Sequence, residues 1–104
     1  LLHLPETEQK PTAYVCHCDS AAQRLYAMLA MSNMRVPSDV SVVSFDNTNL
    51  CDSLMPKLTS IGLHKDSAAR KAFNVMAEAL KNKKISVVQV KSHLVERDSV
   101  KTLK

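Results

Sequence analysis

Apolar residues fall into short runs and periodic stripes along this chain, and the spacing changes from segment to segment. Thr12-Ala13-Tyr14-Val15-Cys16 is a run with β-branched and aromatic members and no breaker, which predicts a buried strand. From Ala22 the period lengthens. Ala22, Leu25, Tyr26, Leu29 and Ala30 recur at three- and four-residue steps and make one apolar stripe of a helix. Asp19 or Ser20 can open that helix, and Asn33 and Pro37 mark where it has stopped. Val40-Ser41-Val42-Val43-Ser44-Phe45 predicts a second buried strand. Strand, helix and strand span about 34 residues, the length of a right-handed parallel βαβ unit.

Beyond it, Asp46-Asn47-Thr48-Asn49 breaks the second strand, and Pro56-Lys57 closes the loop or short helix that follows. Leu58-Thr59-Ser60-Ile61 predicts a third strand. Asp66 or Ser67 starts a longer helix with the stripe Ala69, Phe73, Met76 and Leu80, and Asn82 stops it. Ile85–Val90 and Leu94–Arg97 predict two closing strands, while Pro5 to Pro11 reads as a polar connector. The class is α/β, built on a parallel sheet.

Composition narrows the choices. A length of 104 residues holds one domain at most, and 45% hydrophobic with 23% charged residues excludes both a disordered chain and a coiled coil. The longest apolar run, Leu25–Met31, is far short of the roughly twenty residues that cross a membrane. The chain begins at Leu1 without a basic-then-apolar leader, so it is expected to be a piece of a longer protein and to work in the cytoplasm. Its net charge is +4, and half of its Lys and Arg residues lie in the last 24 positions. No aromatic residue stands among them to stack on bases, so they read as a solvated helix end and tail rather than a nucleic-acid face.

Three cysteines, Cys16, Cys18 and Cys51, cannot all pair within one chain, and an odd count without a leader favours free thiols. Cys16-His17-Cys18 invites a metal, but alternation along a strand sends His17 away from both cysteines and no second ligand pair follows. Neither a metal nor another cofactor is expected. There is no glycine-rich phosphate loop, no G-x-S-x-G and no H-E-x-x-H, so an enzyme is not expected either.

In an open parallel sheet, ligands bind beyond the carboxyl ends of the strands. Two loops leave strands there, one carrying His17, Cys18 and Asp19, the other Asp46, Asn47 and Thr48. Carboxylates and amides on such a rim suit hydroxyl-rich ligands. Asp19 is either a helix N-cap or a pocket residue, and Asp46-Asn47 are either turn formers or ligand contacts. Asp46 is the stronger ligand candidate, because it ends a strongly apolar strand rather than opening a clear helix.

Four ordered segments add a resemblance. Residues 11–22, from Pro11-Thr12-Ala13-Tyr14-Val15 to Cys18-Asp19-Ser20-Ala21-Ala22, resemble a motif of the lactose-repressor-type (LacI/GalR) family of bacterial transcription regulators. So do Arg35-Val36-Pro37-Ser38-Asp39-Val40-Ser41-Val42-Val43-Ser44-Phe45-Asp46-Asn47, Pro56-Lys57-Leu58-Thr59-Ser60-Ile61 and Leu94-Val95-Glu96-Arg97-Asp98-Ser99. From Pro11 to Ser99 they span about 90 residues and are similar to the last third of the family's effector-binding region.

The resemblance implies one lobe of a two-lobed, periplasmic-binding-protein-like (type I) sensor. A sugar or nucleobase-like effector would sit between the lobes and shift the equilibrium between DNA-competent and incompetent states. Asp46 matches the family's effector-contacting Asp, Cys18 takes the place of an Asn that contacts sugar hydroxyls, and Val15 falls where some members pack an aromatic on the effector. Ser44 and Lys57 depart from the family's usual Gly and Pro. Gln23, Leu54 and Met55 would face a second copy in a homodimer. Operator DNA would be bound only through an N-terminal helix-turn-helix that is absent from these residues. The helix from Asp66 would belong to the other lobe, so its Phe73–Met76–Leu80 stripe is expected to be covered by another part of this chain or by a second copy. The competing reading is a transporter's periplasmic sugar-binding protein, which shares the fold.

Overall fold

A computed structural model describes residues 9–104. The connector expected over residues 5–11 lies outside the described residues up to Glu8. Seven elements follow in order: β1 (Ala13–Val15), α1 (Asp19–Met31), β2 (Ser41–Phe45), α2 (Leu50–Ser53), β3 (Thr59–Leu63), α3 (Lys65–Asn82) and β4 (Ser92–Val95). They form one sheet in the order β1-β2-β3-β4. β1, β2 and β3 are parallel, with Val15 opposite Val43 and Phe45 opposite Ile61, so their carboxyl ends share one edge. β4 runs antiparallel to β3, with Ser60 opposite Val95 and Leu63 opposite Ser92. No described helix is long and apolar enough to cross a membrane.

The core is where the periodicity puts it. Ala22, Leu25 and Leu29 turn from α1 onto Val40, Val42, Cys51 and Leu58, with Tyr14, Cys16, Tyr26, Met34, Val36 and Leu54 packed around them. Ala30, expected on the same stripe, is exposed, because it lies a full 100° around the helix from Leu29. The chain closes the core a second time after β4. Ser99 is fully buried between β2 and β3: its hydroxyl donates to the Val42 carbonyl (2.5 Å) and accepts from the Thr59 N–H (2.8 Å).

The second half departs from expectation in two places. Only one closing strand forms, at Ser92–Val95, two residues earlier than the predicted Leu94–Arg97. Ile85–Val90 is not a strand: no described strand pairs with it, and Ile85 and Val87 stand more than nine-tenths exposed. Helix α3 ends at Asn82 as expected, with Lys83 in a left-handed cap conformation (φ 52°). None of its residues is buried, however. Phe73, Met76 and Leu80 are 73%, 62% and 79% exposed, so no other described part of this chain covers that stripe. The projecting helix stretches the chain to 58 × 26 × 26 Å with a radius of gyration of 18.1 Å, against roughly 13 Å for a compact chain of this length.

Candidate functional site

The shared edge of β1, β2 and β3 is built around a carboxylate that sequence reasoning assigned to another task. Asp19 is the first residue of α1 but does not cap it; the cap position is Cys18. Asp19 is instead buried (1% exposed) and takes donors from three segments. Its Oδ1 accepts from the hydroxyls of Ser44 (2.5 Å) on β2 and Ser60 (2.7 Å) on β3. Its Oδ2 accepts from the Thr48 N–H (2.7 Å) and hydroxyl (2.8 Å) in the β2–α2 loop.

Burial pushes the Asp19 carboxyl up. The Ser44, Thr48 and Ser60 donors outweigh that and bring it down to about 2, so a full negative charge sits inside the lobe at neutral pH. Asp19 is therefore an internal knot tying both strands to the loop, not a rim residue. Ser44 supplies one of its donors and also faces inward.

Asp46 and Asn47 shape the rim. Both have positive φ (104° and 50°), a sparsely populated region for residues with a Cβ, where strain concentrates at functional sites. The Asp46 N–H donates to the Ile61 carbonyl (2.8 Å) and the Asn47 N–H to the Ser60 hydroxyl (3.0 Å), so β3 holds the turn. Gly62, the chain's one glycine, makes that possible. A Cβ there would stand 2.7 Å from the Asn47 Cβ, closer than two carbons approach.

The Asp46 carboxylate is exposed and has no hydrogen bond or ion pair among the described residues. It lines an open cleft of about 520 Å³ with Phe45, Thr48, Ile61, Gly62, Leu63, Lys65 and Ser92. Asn47 does not cap a helix; its side chain turns inward to accept from Arg97, and α2 begins after Asn49.

Cys18 stands on the neighbouring loop, its Sγ 3.2 Å from the Ser20 hydroxyl. That contact and the N–H groups of Ala21 and Ser20 hold its thiol below the ordinary range, against desolvation and, least of all, the charge of Asp46. Val15, 73% exposed, ends β1 on the same edge. Among the described residues, no group of three or more His, Cys, Asp or Glu side chains is arranged to hold a metal.

The other named residues lie elsewhere. Gln23 is exposed on α1, Leu54 is half-buried after α2, and Met55 is 87% exposed. The Tyr26 hydroxyl donates to the Pro56 carbonyl (3.1 Å), binding that segment to α1. Sequence reasoning assigned no role to Arg97, Ser99 or the Ser44–Ser60 pair. The available signal was polar residues inside otherwise apolar strands, which burial obliges to find partners.

Comparison with known proteins accounts for this architecture. The periplasmic binding protein-like domain family matches residues 2–100. The HTH-type transcriptional repressor PurR of Vibrio atlanticus (strain LGP32) is 35% identical over 100 residues, 94% of this chain and 30% of that protein. The chain belongs to the LacI/GalR family. A LacI-type transcription regulator from Bifidobacterium animalis subsp. lactis DSM 10140 superposes with a TM-score of 0.78 at 35% identity, over 88% of this chain and 34% of that one. A LacI family transcriptional regulator from Enterococcus faecalis V583, solved with bound ribose, gives 0.78 at 26% identity over 93% and 37%. The chain therefore spans about a third of the length of the LacI/GalR proteins it matches. All three relatives are transcription regulators.

Proposed function

We propose that this chain is the C-terminal part of the effector-sensing domain of a LacI-type transcriptional repressor. A sugar or nucleobase-like effector binds at the strand-end rim, and no chemistry is performed. Asp46 accepts hydrogen bonds from the effector's hydroxyl or N–H groups, and Cys18 and Val15 pack beside it. Binding energy is converted into a shift between DNA-competent and incompetent states. The protein works in the cytoplasm as a homodimer through Gln23, Leu54 and Met55, and DNA is bound by a helix-turn-helix outside these residues.

The observation that carries this reading is Asp46. Its free carboxylate is displayed at the carboxyl end of a central strand, in a backbone conformation that β3 and the loop together enforce. The ribose held by the Enterococcus regulator gives the first probe.

The test is calorimetric titration of the repressor containing this chain with ribose, other pentoses and hexoses, and free nucleobases. One class is expected to bind, and Asp46→Ala is expected to weaken that binding by about 10- to 100-fold, the worth of a charge-assisted hydrogen bond. Unchanged affinity would remove Asp46 from the site.

A further inference from the structure

The geometry points to Arg97 as a positioning residue of the rim: through Asn47 it holds Asp46 in its left-handed turn, and through Asp52 it ties that turn to α2. This inference rests on the reading of Asp46 as the effector contact, and it adds what sets that contact and what can move it.

Asn47 at φ 50° lies in the left-handed well that asparagine tolerates, but Asp46 at φ 104° lies beyond it and does not hold that conformation by local preference. Three restraints impose it. The first is the pair of N–H groups bonded to β3 at Ile61 and Ser60. The second is Asp19, which fixes Thr48 on the far side of the turn. The third is Arg97, whose Nη2 donates to the Asn47 Oδ1 (2.8 Å) across 50 residues of sequence.

Arg97 is itself immobilised. Its N–H donates to the Thr59 hydroxyl (2.9 Å), its Nη1 to the Leu58 carbonyl (2.8 Å) and its Nε to the Asp52 Oδ1 (3.1 Å). Its side chain is only 14% exposed. A guanidinium is planar, so its three donor directions are fixed relative to one another, and the Asn47 bond cannot shift without straining the other two. A lysine carries its donors on a single nitrogen and cannot reach acceptors on the β2–α2 loop, on α2 and on the segment before β3 at once.

The Asp19 and Arg97 restraints differ in one respect. Asp19, Ser44 and Ser60 are buried, whereas Asp52 is 61% exposed on α2, two residues before Leu54 and three before Met55. Anything that displaces α2 pulls on Nε and, through the rigid fork, on Asn47 and Asp46. Arg97 is thereby the link between the effector carboxylate and the surface proposed to meet a second copy.

The test is nuclear magnetic resonance on the isotopically labelled chain. A positive φ brings the amide and α protons of one residue close, giving a strong intraresidue cross-peak. Asp46 and Asn47 are expected to show it, with Asn33 (φ 54°) and Lys83 (φ 52°) as internal references. In Arg97→Lys the peaks of Asp46 and Asn47 are expected to weaken, reflecting a loss of roughly 10-fold or more in preference for the turn, while the references keep theirs. A merely structural role would move all four or none. Unchanged peaks at Asp46 and Asn47 overturn the proposal.

If Arg97→Lys loses its fold, Asn47→Gly decides, since it deletes the acceptor without penalising positive φ; an unchanged Asp46 peak in that variant overturns the proposal equally. Asp52→Ala is expected to shift the Asp46 and Asn47 amide resonances when Arg97 is present and not in the Arg97→Lys background. Equal shifts in both backgrounds, or none in either, overturn the link to α2. No effector is used, so failure here leaves the ligand role of Asp46 standing. Conversely, an Asp46→Ala repressor with unchanged effector affinity removes that role and leaves these spectra as they are.

Discussion

Replacing Asp19 by Asn tests whether a buried carboxylate, rather than the apolar core alone, holds the rim together. The side chain keeps its shape but loses its charge, and its amide nitrogen faces donors instead of accepting from them. The magnitude follows from linkage. The Asp19 carboxyl falls from an ordinary 3.8 to about 2, so ionisation contributes about 2 to 2.5 kcal/mol at neutral pH. Facing one pair of donors with an NH₂ group adds about 1 kcal/mol or more, giving a loss of about 3 to 4 kcal/mol in Asp19→Asn.

The pH dependence has a definite sign. A depressed folded-state pKa stabilises fully above the unfolded value near 3.8, and that stability is lost as pH falls through about 2. About half of the ionisation contribution, ~1.3 kcal/mol, is left at pH 3. The assay is urea unfolding of parent and variant at pH 7, 5 and 3, taking the difference at each pH so that the other carboxylates cancel. The gap should be constant from pH 7 to 5 and about 1 kcal/mol smaller at pH 3. A gap below about 0.5 kcal/mol at pH 7, or one independent of pH, would refute the reasoning.

Two further outcomes follow from the same geometry. Gly62→Ala puts a methyl 2.7 Å from the Asn47 Cβ, so a loss of about 1 to 3 kcal/mol is expected, with the Asp46 and Asn47 resonances moving most; a variant as stable as the parent would contradict the close approach. Iodoacetamide at neutral pH should alkylate Cys18 before Cys16 or Cys51, because hydrogen bonds lower the first thiol while burial raises the other two; peptide mapping that finds Cys51 modified first would sink that order.

The strand–helix–strand unit was legible because its signals are local. A two-residue or 3.6-residue period records which side of an element meets apolar neighbours, and the intervals Ala22–Leu25–Leu29 and Val40–Val42 carry that record in consecutive residues. The same logic identified α3 as a helix and mistook Ile85–Val90 for a strand. Apolar alternation states that a segment seeks a partner, while pairing needs a neighbouring strand, and the structure places none there.

The rim was half legible. Motif resemblance located Asp46 and Cys18, and the parallel topology brought their loops to one edge. The sequence by itself thus determined the strand–helix–strand unit, helix α3, the α/β class and the family. Only the tertiary structure decided what each polar residue does there. Asp19 is drawn from a helix start into a buried knot by Ser60, 41 residues away, and Arg97 reaches Asn47 across 50. Ser99 closes onto Val42 across 57. A hydrogen bond of that kind leaves no period in the chain, since its partners are neighbours only once the sheet has formed. The φ of 104° at Asp46, beyond the left-handed well that Asn and Asp favour, is likewise imposed by surrounding contacts.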